Sequence, residues 1–343
     1  MPIDLTGLTD VSRVLFSIPL RPLQGERFQP TGFPSLGAAT FQTRTGTSLL
    51  VESAQSMANR LEAVCWDEAA QAPREPLAGM SYVRVERQGK FLTSSLTEAH
   101  RLNSPYMLEG KDKKFFNTLK EEFGALDEGP IDRPLLAKTL LKYDVNCLLH
   151  GVFLAKKELA GGRLRVARAL SAFIEATQVL VAASGGVKND HVNPSGSAKD
   201  GFGNVPFSRD EFTSAGEITL YVNLDLGQLR GYGLSNAAEH MLTLLALFKV
   251  RALIDGSLRL RTACDFKVTA TDPIRAESPP EFTLPSLAAL EAELPKAIAA
   301  CRGDMTVTTV TYEDEIKKSK DTDGNKKAKS SDEDDDAADS EDD

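Results

Sequence analysis

The chain is poor in the residues that most catalytic and metal-binding motifs require. It has four cysteines and four histidines. Cys65, Cys147, Cys264 and Cys301 are scattered without a Cys-x-x-Cys pair, which excludes a zinc ribbon or thiol–disulfide motif and predicts reduced core thiols. No His-Glu-x-x-His occurs, and His100, His150 and His240 have no ligand spacing, so neither a metal nor a cofactor is expected. A Gly-x-x-x-x-Gly-Lys phosphate loop and a Gly-x-Ser-x-Gly nucleophile turn are also missing. No apolar run approaches the roughly 18 residues of a membrane span. The opening MPIDLTGLTD has acids and no apolar signal core, so the expectation is a cytoplasmic protein without membrane contact.

A basic excess is missing too, since the formal net charge is −9. Its distribution matters more than its sum. Residues 313–343 hold 14 acids and 6 bases, which leaves 35 acids and 34 bases in residues 1–312. The expected organisation is a folded, nearly neutral body over 1–312 and a disordered acidic tail over 313–343. A neutral body can carry a basic groove. The tail reads as a solubilising end, with weak competition for such a groove as the alternative.

What the chain does have is concentrated near its start. Residues 21–37 contain three prolines, three glycines, two arginines, two glutamines and two phenylalanines, a composition for a rigid contact loop. From Ser53 the period becomes helical: Ala54, Met57, Ala58, Leu61 and Val64 share one face, beside Ser53, Ser56 and Arg60. Ser53 as N-cap, with Ser56 and Arg60 one and two turns on, suits a phosphate.

Alternation predicts strands at 11–20, 82–87 and 218–226, and a buried strand at 145–155. Residues 91–134 read as an insertion, and 184–209, with five glycines and two prolines, as a long functional loop. Residues 235–255 form a long helix capped by Ser235 and ended by Gly256. Residues 258–268 read as one strand with Leu258, Leu260, Cys264, Phe266 and Val268 inward and Arg259, Arg261 and Lys267 outward. With Arg163 and Arg165 this would make a basic sheet face fit for single-stranded nucleic acid. The order of elements approximates a split βαβ, ferredoxin-like α+β plan with insertions.

Five segments together carry a resemblance: QPTGFPSLGAATF (29–41), LLVESAQSMANRLE (49–62), SGGVKNDHV (184–192), GFGNVPF (201–207) and LRLRTACD (258–265). In this order they resemble the RAMP-superfamily, Cas-seven-type backbone subunit of the type I-G (formerly I-U) CRISPR Cascade complex. That resemblance implies a modified RNA-recognition fold with palm and thumb-like insertions. It also implies CRISPR RNA as ligand, a target DNA strand met through the guide, head-to-tail copies of the chain, and large and end-capping subunits as partners. Arg27, Gln29, Thr31, Ser53, Ser56, Asn59 and Arg60 would contact the RNA backbone near the palm. Lys188, His191 and Lys199 would lie on the thumb-like loop, with Phe202 or Val205 as a wedge beside a flipped base. No catalytic residue is expected. The alternatives are a metal-dependent RNA nuclease, as in related type III proteins, with Asp190 or Asp200 as its acid, and a purely structural self-assembling protein.

Overall fold

A computed structural model describes residues 3–33, 37–124, 130–256, 258–270 and 273–313. Residues 314–343, and with them nearly all of the expected acidic tail, lie outside the described residues.

The chain opens with β1 (Arg13–Pro22), whose Val14, Phe16, Ile18 and Leu20 are buried as the alternation requires. After the 21–38 loop come β2 (Thr40–Thr43), β3 (Gly46–Glu52) and α1 (Ala54–Ala63). Ser53 caps α1 by accepting from the Ser56 N–H at 3.3 Å. An insertion follows, with β4 (Tyr82–Arg87), β5 (Lys90–Ser94), α2 (Lys114–Phe123), α3 (Arg133–Tyr143), α4 (Asn146–His150), β6 (Val152–Leu154) and β7 (Leu164–Val166). The core resumes at β8 (Leu170–Ala176), the ribbon β9 (Val179–Lys188) and β10 (Val205–Ser214), and β11 (Ile218–Asp225). It ends with α5 (Asn236–Asp255), the hairpin β12 (Leu258–Arg261) and β13 (Cys264–Val268), α6 (Leu287–Ala300), and β14 (Val307–Thr311).

The main sheet has the order β12-β13-β1-β11-β8-β3-β2. Every adjacent pair in it is antiparallel. Stripped to β1-α1-β8-β11-α5-β13, its spatial order is fourth, first, third, second, the split βαβ arrangement of a ferredoxin-like α+β fold. Phe16 faces Val222 across β1 and β11, and Ile18 and Ile174 flank Leu220, so one face is continuously apolar. The helix α5 is buried nearly all round, between α1 and α6, which explains why its apolar stripe is so wide.

Several local expectations change. The second core strand is Leu170–Ala176, not 82–87; the latter pairs with β5 and, in parallel, with β14 in a separate three-stranded sheet. Residues 145–155 split into a buried helical turn and the short β6. The insertion is far longer than 91–134, spanning the whole interval between α1 and β8. The 184–209 segment is not an open loop: it belongs to the ten-pair ribbon β9–β10 with a tip at 189–204. The apparent strand 258–268 is a hairpin turning at Thr262 and Ala263, although its inward apolar set holds for all but half-buried Val268.

Buried polar groups pin the insertion to the core. Arg101 donates to both Glu62 carboxylate oxygens at 2.7 and 2.8 Å. Lys249 of α5 donates to Asn146 Oδ1 at 2.5 Å and meets His150 Nε2 at 2.9 Å. Burial, with Lys249 adding to it, holds the His150 imidazole well below the ordinary histidine range, so Nε2 is an acceptor. Nearby, burial pushes Asp144 up from 3.8 to about 6 despite its hydrogen bond from Cys147. The folded-state value is raised, so the stability linked to this carboxyl is fully present below about pH 4 and is lost as pH rises through about 6. Asp144→Asn keeps an acceptor for the Asn146 N–H and removes the charge. It is expected to raise the melting temperature at pH 7.5, by an amount corresponding to at most about 3 kcal/mol, and to leave it unchanged near pH 4. Equal effects at the two pH values in thermal melts would refute this account.

Candidate nucleic-acid interface

Glu52, the last residue of β3, has no solvent exposure, and the local architecture converges on it. Arg60 donates to Glu52 Oε1 at 3.1 Å, Ser56 Oγ donates to the same oxygen, and the Arg261 guanidinium closes on Oε2. Arg60 also donates to the Arg259 and Leu260 carbonyls, covering the outer edge of β12. Arg261 further donates to the carbonyls of Gln29 at 3.0 Å and Val51 at 3.3 Å. A residue at one edge of the sheet thus grips the end of the strand next to the opposite edge. The sheet curls, and Glu52 is the clasp.

Several of the residues expected to hold a phosphate have internal partners instead. Ser53 is spent on capping and Ser56 on Glu52, while Arg60 and Arg261 are only 26% and 23% exposed and committed to internal partners. Burial lowers the Arg60 pKa and pushes the neighbouring Cys264 thiol up to about 11. On this helix only Asn59, among the expected contacts, is exposed. Outward parity predicted Arg261 correctly as a direction along the strand, but the long side chain folds back to the nearest buried carboxylate.

The loop after β1 is built into the foot of the ribbon. Phe28 and Phe212 exchange both backbone hydrogen bonds, at 2.9 and 2.8 Å, and both side chains are buried. The Gln29 N–H reaches the Ala263 carbonyl and the Thr31 N–H the Val51 carbonyl, each at 2.8 Å. Next to this seam Glu211, buried in β10, accepts from Arg209 at 2.8 and 3.1 Å and lies 3.8 Å from the Arg27 Nε. Arg27 and Arg209 face a cleft of about 430 Å³ between the loop, the ribbon foot and the β12–β13 turn. Arg209 also lines a cleft of about 440 Å³ with Gln29, Thr31 and Arg261. A third, of about 370 Å³, continues along Arg21, Pro22 and Glu26. Glu26, Asp210 and Asp265 share these walls, so the clefts are mixed in charge, while Arg27 and Arg209 have Glu211 and Arg261 has Glu52 as acidic partner.

Arg209 is the contact candidate that sequence reasoning left out of its set. Its signal was present in the alternation Arg209, Glu211 against Asp210, Phe212, but a loop assignment hid it.

The remaining expected residues fall in separate places. Arg259 is exposed and stands 3.8 Å from Asp265; Lys267 is cross-strand from Arg21 on the sheet face away from the buried apolar set. That face also carries Phe173 stacked on Tyr221 at 5.0 Å. Arg163 and Arg165 are not on this sheet: Arg165 is in the β6–β7 ribbon of the insertion and Arg163 is in the turn that enters it. Lys188 ends β9 opposite Val205, and His191, Lys199 and Phe202 are exposed at the ribbon tip. Asp190 organises that tip, accepting from the N–H groups of Val192, Asn193 and Gly203, each at 2.9 Å. Those bonds, Asn193 first, hold its carboxyl below the ordinary aspartate range. Both carboxylate oxygens are thereby engaged. Among the described residues no group of three or more His, Cys, Asp or Glu side chains has a metal-holding arrangement, and no helix is long and apolar enough to cross a membrane.

Chains of solved structures resemble the fold loosely. One, from a "CRISPR RNA-guided surveillance complex, pre-nicking", has 13% identity and a TM-score of 0.38 over 75% of this chain and 73% of its own. Another, Csc2 of Thermofilum pendens, has 9% identity and a TM-score of 0.31 over 75% of this chain, which spans 64% of Csc2's length. At these scores the fold stands on its own strand order. No curated protein matches the sequence. Residues 14–181, from β1 to the start of β9, match the family described as "CRISPR-associated protein GSU0053", and over that stretch, just under half its length, the chain is similar to a CRISPR-associated family.

Proposed function

We propose that the chain is a non-catalytic, RNA-binding backbone subunit of a type I-G CRISPR surveillance complex, working in the cytoplasm. Copies of it stack head to tail along a CRISPR RNA, holding the RNA backbone and leaving bases to pair with a target DNA strand, while large and end-capping subunits close the assembly. Sequence is then read by base pairing and affinity comes from phosphates. The observation that supports this best is the seam at Phe28 and Phe212, which joins the contact loop to the ribbon and sets Arg27 and Arg209 over adjoining clefts.

The test is equilibrium binding of labelled single-stranded CRISPR RNA across a salt series, for wild type and the Arg27→Ala/Arg209→Ala double variant. The expected result is at least a tenfold loss of affinity at moderate salt, with a log–log salt slope shallower by about 2. Salt-insensitive binding, or a double variant that binds like wild type, would refute the assignment of the site. The nuclease alternative is weakened by Asp190, whose carboxylate is consumed by three backbone N–H groups of its own loop.

A further inference from the structure

The distal part of the β2–β3 ribbon, residues 40–48, serves neither the clasp nor the clefts. Leu49, Val51 and Glu52 of β3 are in the core, but Phe41, Gln42, Thr43, Arg44 and Thr45 are all exposed. The register explains this. The last cross-strand partner of β3 on β8 is Leu49, opposite Ala176 and paired on its other side with Thr40, so residues 41–48 run on beyond that strand and their strand pairs are with each other. They keep their shape through polar contacts: Thr43 Oγ1 donates to the Gly46 carbonyl at 2.8 Å, and Gln42 Nε2 donates to Thr47 Oγ1 at 3.2 Å. An isolated two-stranded ribbon is marginal in water, so a projecting one without an apolar face is suited to contact rather than to packing.

Its chemistry points to a polyanion. Between Glu26 and Glu52 lie 25 residues, 27–51, without a single acid, in a chain that has 49. Arg44 sits at the turn of the ribbon, exposed, and no carboxylate pairs with it among the described residues. This separates it from Arg27, Arg60, Arg209, Arg259 and Arg261, each of which has an acidic neighbour. The Thr45 hydroxyl and the second N–H of the Gln42 amide lie within two residues of it in sequence, and Phe41 offers an exposed ring two residues before Thr43.

We propose that the β2–β3 ribbon is a second nucleic-acid contact, in which Arg44 binds a backbone phosphate and Phe41 packs against a sugar or base. It is separate from the clefts at the ribbon foot, and it rests on the proposed function only in taking a nucleic acid to be bound by this protein. The phosphate belongs to the RNA itself or to a strand paired with it, and two probes distinguish these.

The experiment measures affinity of the full chain for a labelled single-stranded RNA and for the same RNA annealed to complementary DNA, over a salt series, with wild type, Arg44→Ala and Arg44→Glu. Arg44→Ala is expected to lower affinity roughly threefold to tenfold and to reduce the salt slope by about 1, and Arg44→Glu to lower affinity more than tenfold. Thermal melting should not change, because Arg44 has no internal ion pair. Loss on both probes assigns the phosphate to the RNA; loss on the heteroduplex alone assigns it to the paired strand. If wild type binds both probes and the Arg44 variants match it in affinity and slope, the ribbon contact is wrong while the RNA-binding function stands. If wild type binds neither probe, both fall.

Discussion

Glu52→Ala is expected to cost about 3–5 kcal/mol of stability, a large fraction of what a domain of ordinary stability has. The reason is what the substitution leaves behind. Two guanidinium groups, Arg60 and Arg261, converge on one buried carboxylate, and both are mostly buried themselves. Removing the carboxylate leaves two like charges facing each other with little water to separate them. It also loosens the Gln29 and Val51 carbonyls that Arg261 holds, and the β12 carbonyls that Arg60 covers. Glu52→Gln keeps the shape and one acceptor, and is expected to fall between Ala and wild type. Urea unfolding followed by circular dichroism would measure both. A loss below about 1 kcal/mol for Glu52→Ala would show that the curled sheet holds without its clasp.

The clasp also changes how a tempting substitution is to be interpreted. Arg60 on a Ser-capped helix suits a phosphate, and Arg60→Ala would be an obvious probe of RNA binding. Because Arg60 is tied to Glu52 and to the β12 edge, that variant reports on folding first. Any loss of RNA affinity should then follow the loss of folded protein. Arg44, with no carboxylate partner among the described residues, and Arg27, which is more than half exposed, are the more direct probes.

Strand parity and helix capping carried much of the fold in the sequence. β1, α1, β11 and α5 could be placed from alternation, Ser53, Ser235 and Gly256, and these are four of the six elements of the core. β8 was harder, because LSAFIEA follows a conspicuous Arg-alternating stretch that belongs to a minor ribbon in the insertion. The β9–β10 ribbon was hidden for a different reason. Gly185, Gly186, Gly201 and Gly203 lower strand propensity, and exposure on both faces removes the apolar alternation by which strands are recognised. For the site, sequence could say which residues have charge but not where a long side chain ends. Arg259 and Arg261 are neighbours in parity, yet one is exposed and the other is folded onto Glu52, 209 residues earlier in the chain.

Cutting the β9–β10 ribbon short is expected to abolish assembly along RNA while sparing the fold. Of ten exposed large apolar side chains among the described residues, six lie on this ribbon and its tip: Leu180, Val181, Val187, Val192, Phe202 and Phe207. Such a concentration on a two-stranded projection is unfavourable for a free monomer and suits a surface that another molecule covers. Replacing residues 188–205 by Asn-Gly would leave Val187 paired with Pro206 and let the strands close through a tight two-residue turn. Phe28–Phe212 and Arg209–Glu211 lie below the cut and are retained, so single-copy RNA contact at the foot should survive. Wild type mixed with a guide-length RNA should then sediment as a large particle, and the shortened chain as a species with few copies, with unchanged melting of the protein alone. A shortened chain that still forms the full-size particle would place the contact between copies elsewhere, and would leave the ribbon's exposed apolar side chains without a partner.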